Sequence, residues 1–307
     1  MQLVHTANEL NAGNRKVCLA IGFFDGVHLG HQQIIRQTIT DARKHGALAL
    51  VITFDHHPNA VVAPARVPPL IYSLPQKLRT IESLGPEAAL LIHFDQAFSQ
   101  KTGETFIREL AGAWSGIQSI CVGANFAFGH KRSGHVDLLK QLGGELKFSV
   151  HGMAAVSLDG EPVSSTRIRE AIRAGDLDAA SQMLGRAYSI AGPVVEGDKL
   201  GRQLGFPTAN LDAAGLGLPP SGVYAIHAMV RGQIHRALLN IGTRPTLENP
   251  NPPLRVEAHL LDFNGELYGE ELEIVFAEKL REEQKFASVD ELKAQIARDI
   301  ERAKGIF

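Results

Sequence analysis

The stretch Gly22-Phe-Phe-Asp-Gly-Val-His28-Leu-Gly-His31 directly follows an apolar run at residues 17–22. A short apolar run that ends in glycine predicts a buried strand, and residues 30–44 carry apolar side chains at helical spacing. The same order of strand and helix continues through the first half of the chain. Further strands are predicted at 47–54, 88–94, 117–123 and 148–156, and further helices at 76–84, 103–114, 136–142 and 165–174. This alternation predicts a Rossmann-like α/β domain with a parallel sheet covered by helices.

The pattern changes at about residue 187, where short runs rich in β-branched residues replace the helices. Strands are predicted at 189–195, 222–231, 234–241, 254–262 and 271–280. About six strands in roughly a hundred residues favour a small antiparallel β-barrel or sandwich. Asn264-Gly265 predicts a hairpin between the last two runs. Residues 288–304 form a predicted terminal helix, with Ser288 as its N-cap and Glu291 in the capping-box position.

Length and composition bound the function. The 307 residues allow two domains, predicted at 1–184 and 187–307. A content of 44% apolar and 21% charged residues is typical of a soluble globular protein. The net charge of -2 argues against a nucleic-acid partner but leaves mononucleotides open. Because no apolar stretch reaches the ~20 residues of a membrane span and no signal peptide opens the chain, we expect a cytoplasmic protein without a membrane partner.

The two cysteines, Cys18 and Cys121, both lie in predicted buried strands. Free structural thiols in a reducing compartment are the favoured interpretation. A catalytic or disulfide role is the alternative.

The loop at residues 22–31 is a candidate phosphate site, because ligands of parallel sheets bind beyond the carboxyl ends of the strands. His28 and His31 project from the same side of the first helical turn, where the helix N-terminus favours anions. Gly22, Gly26 and Gly30 allow the backbone to approach a ligand closely. Two alternatives remain: a glycine-rich turn with incidental histidines, or a metal pair, for which no third ligand stands at zinc-like spacing.

A second candidate is Ser-Ser-Thr-Arg-Ile-Arg-Glu at residues 164–170, where a helix is predicted to begin. Its hydroxyls and arginines are explained either by a helix cap with a solvated face or by a clamp for phosphates.

The histidine loop, followed late in the domain by the Ser-Ser-Thr segment, resembles the nucleotidyltransferase superfamily. Those enzymes transfer a nucleotidyl group by in-line attack on the α-phosphate, with no protein nucleophile. Two further motifs narrow the match: Thr-Phe-Asp-His-His-Pro at 53–58 and Val-Gly-Ala-Asn-Phe-Ala-Phe-Gly at 122–129. Together they resemble the FAD synthetase module of bacterial bifunctional riboflavin kinase/FMN adenylyltransferases.

This resemblance implies roles for individual residues. His28 and His31 would be catalytic, and the flavin would contact Phe54, His57, Pro58 and Phe128. The implied ATP site comprises Gly22, Phe24, Asp25, Gly26, His28, His31, Asn125, Ser165, Thr166 and Arg169. Two positions depart from the common pattern, with Phe23 where asparagine is frequent and His56 where proline is frequent. These departures concern substrate fit more than reaction type.

The glycine-rich segment 197–210 is a third candidate site. It is not a P-loop, because the Gly-Lys-Ser/Thr ending is missing. Thr208 and Asn210 alternate at strand spacing, so their side chains should face the same way, and their oxygens suit Mg²⁺. An ordinary glycine/proline turn is the alternative.

This segment, followed by motifs at 240–246, 256–263 and 280–286, resembles riboflavin kinase in order and spacing. The resemblance implies that Glu257 is the base that takes the proton of the ribityl 5′-hydroxyl; a solvent-facing glutamate on an edge strand is the alternative. It implies flavin contacts for Arg281 and Phe286 and a metal site at Thr208 and Asn210. The implied ATP contacts are Gly197, Lys199, Gly201, Gly205, Thr208 and Asn210.

The sequence thus predicts an enzyme that phosphorylates riboflavin to FMN in its C-terminal domain and adenylylates FMN to FAD in its N-terminal domain. ATP would be the co-substrate and Mg²⁺ the cofactor of both steps. Two rivals are an adenylyltransferase for another phosphate acceptor with a merely flavin-binding barrel, and a non-catalytic flavin or nucleotide sensor. Weak or transient self-association stays open.

Overall fold

The computed structural model describes residues 1–197, 200–243 and 254–307, except the side chains of Leu200 and Gln203. The predicted ATP contact Lys199 and the end of the motif at 240–246 therefore lie outside the described residues. The same holds for the Pro- and Asn-rich patch at 248–253, whose composition predicts a loop. The chain divides into two compact units, one formed by Met1–Pro68 and Leu74–Ser165 and the other by Pro69–Ser73 and Thr166–Phe307. The domain division at 184–187 stays a prediction.

The first unit contains a six-stranded parallel sheet in the order β1-β4-β3-β2-β5-β8, as far as the chain is described. Its strands are β1 Gln2–Val4, β2 Val17–Ile21, β3 Leu48–Phe54, β4 Ala88–Ile92, β5 Ile117–Gly123, β6 Ala127–Phe128, β7 Gly134–His135, β8 Ser149–Met153, β9 Ser157–Leu158 and β10 Glu161–Pro162. Its helices are α1 Leu29–His45, α2 Asn59–Val62, α3 Leu74–Ser83, α4 Gln96–Ser99, α5 Gly103–Ala113 and α6 Val136–Leu146. The α/β prediction is confirmed.

The burial of β2 explains why the sheet is covered on both faces. Val17, Leu19 and Ile21 belong to one apolar cluster, whereas Cys18 and Ala20 belong to another that includes side chains of α1. Successive strand residues point to opposite faces, so a fully apolar strand requires a core on each side.

The second unit contains a closed antiparallel barrel in the order β11-β12-β15-β14-β13-β16, built from six strands of the described residues. Its strands are β11 Ser189–Val195, β12 Ala209–Leu211, β13 Gly222–Val230, β14 Gln233–Gly242, β15 Arg255–Leu260 and β16 Glu271–Arg281. The helices are α7 Ser165–Ala174, α8 Leu177–Leu184, α9 Leu200–Leu204 and α10 Val289–Lys304. The predicted barrel with a terminal helix is confirmed.

The hairpin predicted at Asn264-Gly265 is wrong. β15 pairs with β12 and β14, whereas β16 pairs with β11 and β13, so these consecutive strands are not neighbours. The tight hairpin instead joins β13 to β14 through Arg231-Gly232, both at positive φ (52° and 74°), which is the requirement of a type I′ turn. Closure of the barrel, a non-local constraint, overrides the local turn signal.

Both cysteines are free and buried. Burial raises the pKa of each thiol, that of Cys121 to about 12, so the reactive thiolate is disfavoured at both positions.

Among the described residues, we find no helix that combines the length and apolar character of a membrane span.

Candidate active sites

The loop after β2 reverses direction before α1 begins. Phe24 and Gly26 adopt positive φ angles of 55° and 71°. A Cβ at Gly22 would lie 2.8 Å from the Phe24 ring, so the turn requires glycine there. Phe24 is only 1% exposed and its ring packs edge-on beneath His31, with 5.2 Å between the centroids. A contact of Phe24 with ATP would therefore have to come from its backbone.

The structure brings His28 and His31 together at the N-terminus of α1. Their rings stack with centroids 3.6 Å apart and an interplanar angle of 20°. His28 is the N-cap, and its Nδ1 accepts from the backbone N–H of His31 at 3.4 Å. Two imidazoles and the positive end of a helix dipole thus meet at one point, which suits an anionic ligand.

Ser165 lies against this loop, because its hydroxyl donates to the carbonyl of Asp25 at 3.3 Å. Thr166 and Arg169 are grouped with the second unit, where Arg169 Nε donates to the Pro69 carbonyl at 2.7 Å.

An aromatic cavity of 670 Å³ lies in the first unit. Phe54, Pro58 and Phe128 line it, so three of the four predicted flavin contacts share one space. His57 packs edge-on against Phe23, which also lines the cavity, at 4.9 Å between centroids. The volume falls in the range of about 300–1,000 Å³ of small-molecule sites. Sequence reasoning missed the remaining aromatic lining, Phe94, Phe98, Phe106 and Phe126.

Asn125 is not among the residues that line that cavity. It follows β5 and lines a second cavity of 450 Å³ together with His135 and Gly152.

In the barrel, three strands align polar side chains in one row. Glu257 on β15 is the register partner of Asn210 on β12 and of Asn240 on β14. Its neighbours Val256 and Ala258 are buried in the barrel, so Glu257 points to the opposite face. Asn240 was not among the predicted site residues, although it opens the motif at 240–246.

Glu257 and Asn240 of this row line a cavity of 330 Å³, whereas Asn210 is not among the residues that line it. Residues of all three predicted classes line it: the base, the ATP and metal contacts and the flavin contacts. These are Glu257, Gly201, Thr208, Arg281 and Phe286, and Asn240 lines it as well.

At two positions of segment 197–210, neighbouring atoms come so close to the backbone that only glycine fits. A Cβ at Gly197 would lie 2.3 Å from the amide nitrogen of Asn210, and one at Gly201 would lie 2.4 Å from the Phe206 carbonyl. The backbone at Gly197 therefore packs closely against Asn210, one of the two predicted metal ligands. Gly205, at a φ of 90°, follows the last residue of α9.

Comparison with known proteins connects both sites to one family. Residues 10–167 match the family model described as FAD synthetase, and residues 184–307 match the one described as riboflavin kinase. The chain is 38% identical over 306 residues to the bifunctional riboflavin kinase/FMN adenylyltransferase of Pseudomonas fluorescens, covering 100% of this chain and 98% of that protein. The chain belongs to this family. The Escherichia coli K12 relative of the same name is 37% identical over 309 residues, with the same shares covered.

A solved structure supports the fold of this family member. The crystal structure titled as a macrolide-efflux protein from Streptococcus pneumoniae is 28% identical, covers 99% of each chain and has a TM-score of 0.82.

This chain also contains a buried lysine that sequence reasoning missed. Lys77 on α3 is 3% exposed, and its ammonium donates to the carbonyls of Phe54 at 2.7 Å and Phe23 at 3.3 Å. It also lies 4.3 Å from the centroid of the Phe23 ring. The ammonium group of Lys77 thus connects the carboxyl ends of the neighbouring strands β2 and β3. A charge four residues before the buried Ile81, on the apolar face of a predicted helix, was the available signal.

The buried Lys77 predicts a pH-dependent stability. Burial lowers its pKa to about 8 from 10.5, although Asp25 and Asp55 oppose this shift. Between these values the unfolded chain binds a proton that the folded chain does not, so this group makes stability rise with pH. We expect the free energy of unfolding of wild type, taken relative to that of Lys77→Met, to increase with pH across this range. The total increase should be roughly 3 kcal/mol.

Trp114, the single tryptophan of the chain, lies in the first unit, so its fluorescence in urea measures this transition. Parallel pH profiles of wild type and Lys77→Met would contradict the assignment.

Arg281 in the kinase cavity is held by a buried carboxylate that sequence reasoning also missed. The two guanidinium nitrogens Nε and Nη2 lie 2.9 Å and 2.8 Å from Asp299 Oδ2, and Gln295 donates to Oδ1 at 2.8 Å. The Arg281 guanidinium faces the ring of Phe286 at 5.8 Å. Asp299 lies in the apolar stripe of α10 between Ile296 and Ala303. A charge on this apolar face was the feature of the sequence that could have indicated its role.

Removing Asp299 should lower the free energy of unfolding by more than removing one partner of an exposed ion pair does. Leaving a buried charge unpaired typically costs about 3–5 kcal/mol. We expect Asp299→Ala to lower the thermal midpoint of the barrel, followed by circular dichroism. Because Arg281 is a predicted flavin contact, we also expect the substitution to raise the KM for riboflavin. Glu301→Ala, which removes an exposed pair with Lys304, is the control. Equal effects of the two substitutions would refute the positioning role of Asp299.

Proposed function

We propose that this chain phosphorylates riboflavin to FMN at the Glu257 site and adenylylates FMN to FAD at the His28/His31 site. The supporting observation is the separation of two chemically different sites. The imidazole pair falls within the FAD synthetase match, and the Glu257 row falls within the riboflavin kinase match.

In the adenylyl transfer, His28, His31 and the positive end of the α1 dipole hold the ATP phosphates. A phosphate oxygen of FMN attacks the α-phosphorus in line, and pyrophosphate leaves as the P–O bond breaks. The imidazoles stabilise the negative charge that builds up on the phosphates, so no protein nucleophile is needed. The 670 Å³ aromatic cavity takes the isoalloxazine ring. Ser165 acts with the loop, and Asn125, Thr166 and Arg169 are further proposed ATP contacts.

In the kinase reaction, Glu257 takes the proton of the ribityl 5′-hydroxyl as that oxygen attacks the γ-phosphorus of ATP, and ADP leaves as the bond between the γ-phosphorus and the bridging oxygen breaks. The backbone at Gly197, Gly201 and Gly205 and the side chain of Lys199 are proposed to contact ATP. Arg281 and Phe286 hold the flavin.

Mg²⁺ fits the kinase site by the chemistry of its donors. The hydroxyl of Thr208 and the amide oxygen of Asn210 are both hard oxygen ligands. An ion bound there would neutralise phosphate charge. We propose Mg²⁺ for the adenylyl transfer as well, and a cytoplasmic enzyme whose partners are riboflavin, FMN and ATP.

Incubation of the chain with riboflavin, ATP and Mg²⁺ under reducing conditions, followed by chromatography of the flavins, tests the proposal. We expect FMN to appear first and FAD later, with both reactions stopped by a chelator. FAD from supplied FMN without any FMN from riboflavin would favour a barrel that only binds flavin. Neither product would favour a sensor.

A further inference from the structure

Asp55, His56 and His93 form a cluster at the edge of the sheet where two parallel strands end. Asp55 and His56 follow β3, and His93 follows β4. The last residues of these strands, Phe54 and Ile92, are register partners, so the residues after them meet at one edge.

The Asp55 carboxylate bridges the two imidazoles. Its Oδ2 lies 2.5 Å from Nδ1 of His93, and its Oδ1 lies 2.7 Å from Nδ1 of His56. One possible ligand atom from each residue lies within 4.8 Å of the other two. Among the described residues, this is the one group of three His, Cys, Asp or Glu side chains that could hold a metal ion in this way.

The backbone orients the central carboxylate. Asp55 Oδ1 accepts from the N–H of His56 at 2.9 Å and from the N–H of Phe94 at 3.2 Å. Such support around a ligand is typical of metal centres, because it fixes the carboxylate while leaving an oxygen for the ion. Here Oδ2 would take the ion in place of its present contact with Nδ1 of His93, and both Nδ1 atoms already point toward the same carboxylate.

We propose that Asp55, His56 and His93 bind one divalent transition-metal ion. Two imidazoles and a carboxylate suit zinc and its neighbours, whereas Mg²⁺ prefers oxygen ligands, so the site differs in kind from the magnesium site at Thr208 and Asn210. Three protein ligands leave a further position for water or a ligand oxygen.

The ligands have the freedom to reach metal distances. Zinc–nitrogen bonds of about 2.0–2.1 Å place tetrahedral ligand atoms roughly 3.3 Å apart, somewhat farther than the hydrogen bonds now seen. The side chain of His93 is 72% exposed and that of His56 35% exposed, so both rings can open around an ion.

The ligands flank Phe54 and Phe94, which line the 670 Å³ cavity, so an ion would stiffen its rim.

The test uses the full chain without a histidine tag, stripped with a chelator and titrated with Co²⁺ and Zn²⁺. We expect one equivalent of Co²⁺ to give a ligand-field spectrum of low coordination number, displaced by Zn²⁺. His56→Ala and His93→Ala should each weaken this binding at least tenfold. His151→Ala is the matched control, because His151 forms a single pair with Asp41 at 3.1 Å.

Thermal unfolding followed by Trp114 fluorescence gives a second readout. Zn²⁺ should raise the midpoint of wild type and His151→Ala but not that of the two site variants, whose midpoints without metal should match wild type. Binding weaker than millimolar in wild type, unchanged affinity in both site variants, or loss of binding in His151→Ala would overturn the proposal.

Discussion

Replacing His31 by alanine is expected to lower the rate of FAD formation by about 10²–10³-fold, the usual cost of removing one donor from a site that stabilises developing charge. His31 stacks on His28 at the N-terminus of α1, so the change removes half of the imidazole pair. The His28 cap, which accepts from the backbone of residue 31, stays in place. FMN formation from riboflavin should stay within about twofold of wild type, because the proposed kinase residues lie in the barrel.

The control is His45→Ala. His45 lies exposed in the last turn of the same helix, roughly 20 Å from His31 along the helix axis. The measurement is the initial rate of FAD formation from supplied FMN and ATP. Comparable losses in His31→Ala and His45→Ala would show that helix stability, and not the imidazole, was lost.

Replacing Glu257 by glutamine is expected to lower FMN formation by about 10²–10⁴-fold, the range for loss of a general base. Glutamine keeps the size of the side chain and its place between Asn210 and Asn240, so β15 should pair as before. Adenylylation of supplied FMN should continue. The rate of FMN formation from riboflavin is the measurement.

Glu278→Gln is the matched control, since Glu278 is an exposed glutamate on another strand of the same barrel. If Glu257→Gln kept a wild-type rate at all pH values, Glu257 would be no base.

The sequence predicted those features that local patterns determine. The fully apolar β2 implied a core on both faces of a parallel sheet, and the spacing of His28 and His31 implied two rings on one side of a helix. Pairing between distant segments was beyond such patterns. The edge strand β1 has three residues, too few for a periodicity, and Asn264-Gly265 does not join paired strands.

The same division applies to the sites. The row of Asn210, Glu257 and Asn240 depends on the register of three strands, so the resemblance to a family was needed to assign Glu257 as the base. Lys77 and Asp299 were visible as charges on apolar helix faces. Their partners, two backbone carbonyls and Arg281, could not be named without the fold.

The most direct test of two independent sites in one chain mixes the two variants. His31→Ala and Glu257→Gln, each incubated alone with riboflavin, ATP and Mg²⁺, should yield almost no FAD. An equimolar mixture should yield FAD, because FMN released by the first variant is adenylylated by the second. A mixture that forms no more FAD than the separate variants, while each keeps its remaining single activity, would contradict the account.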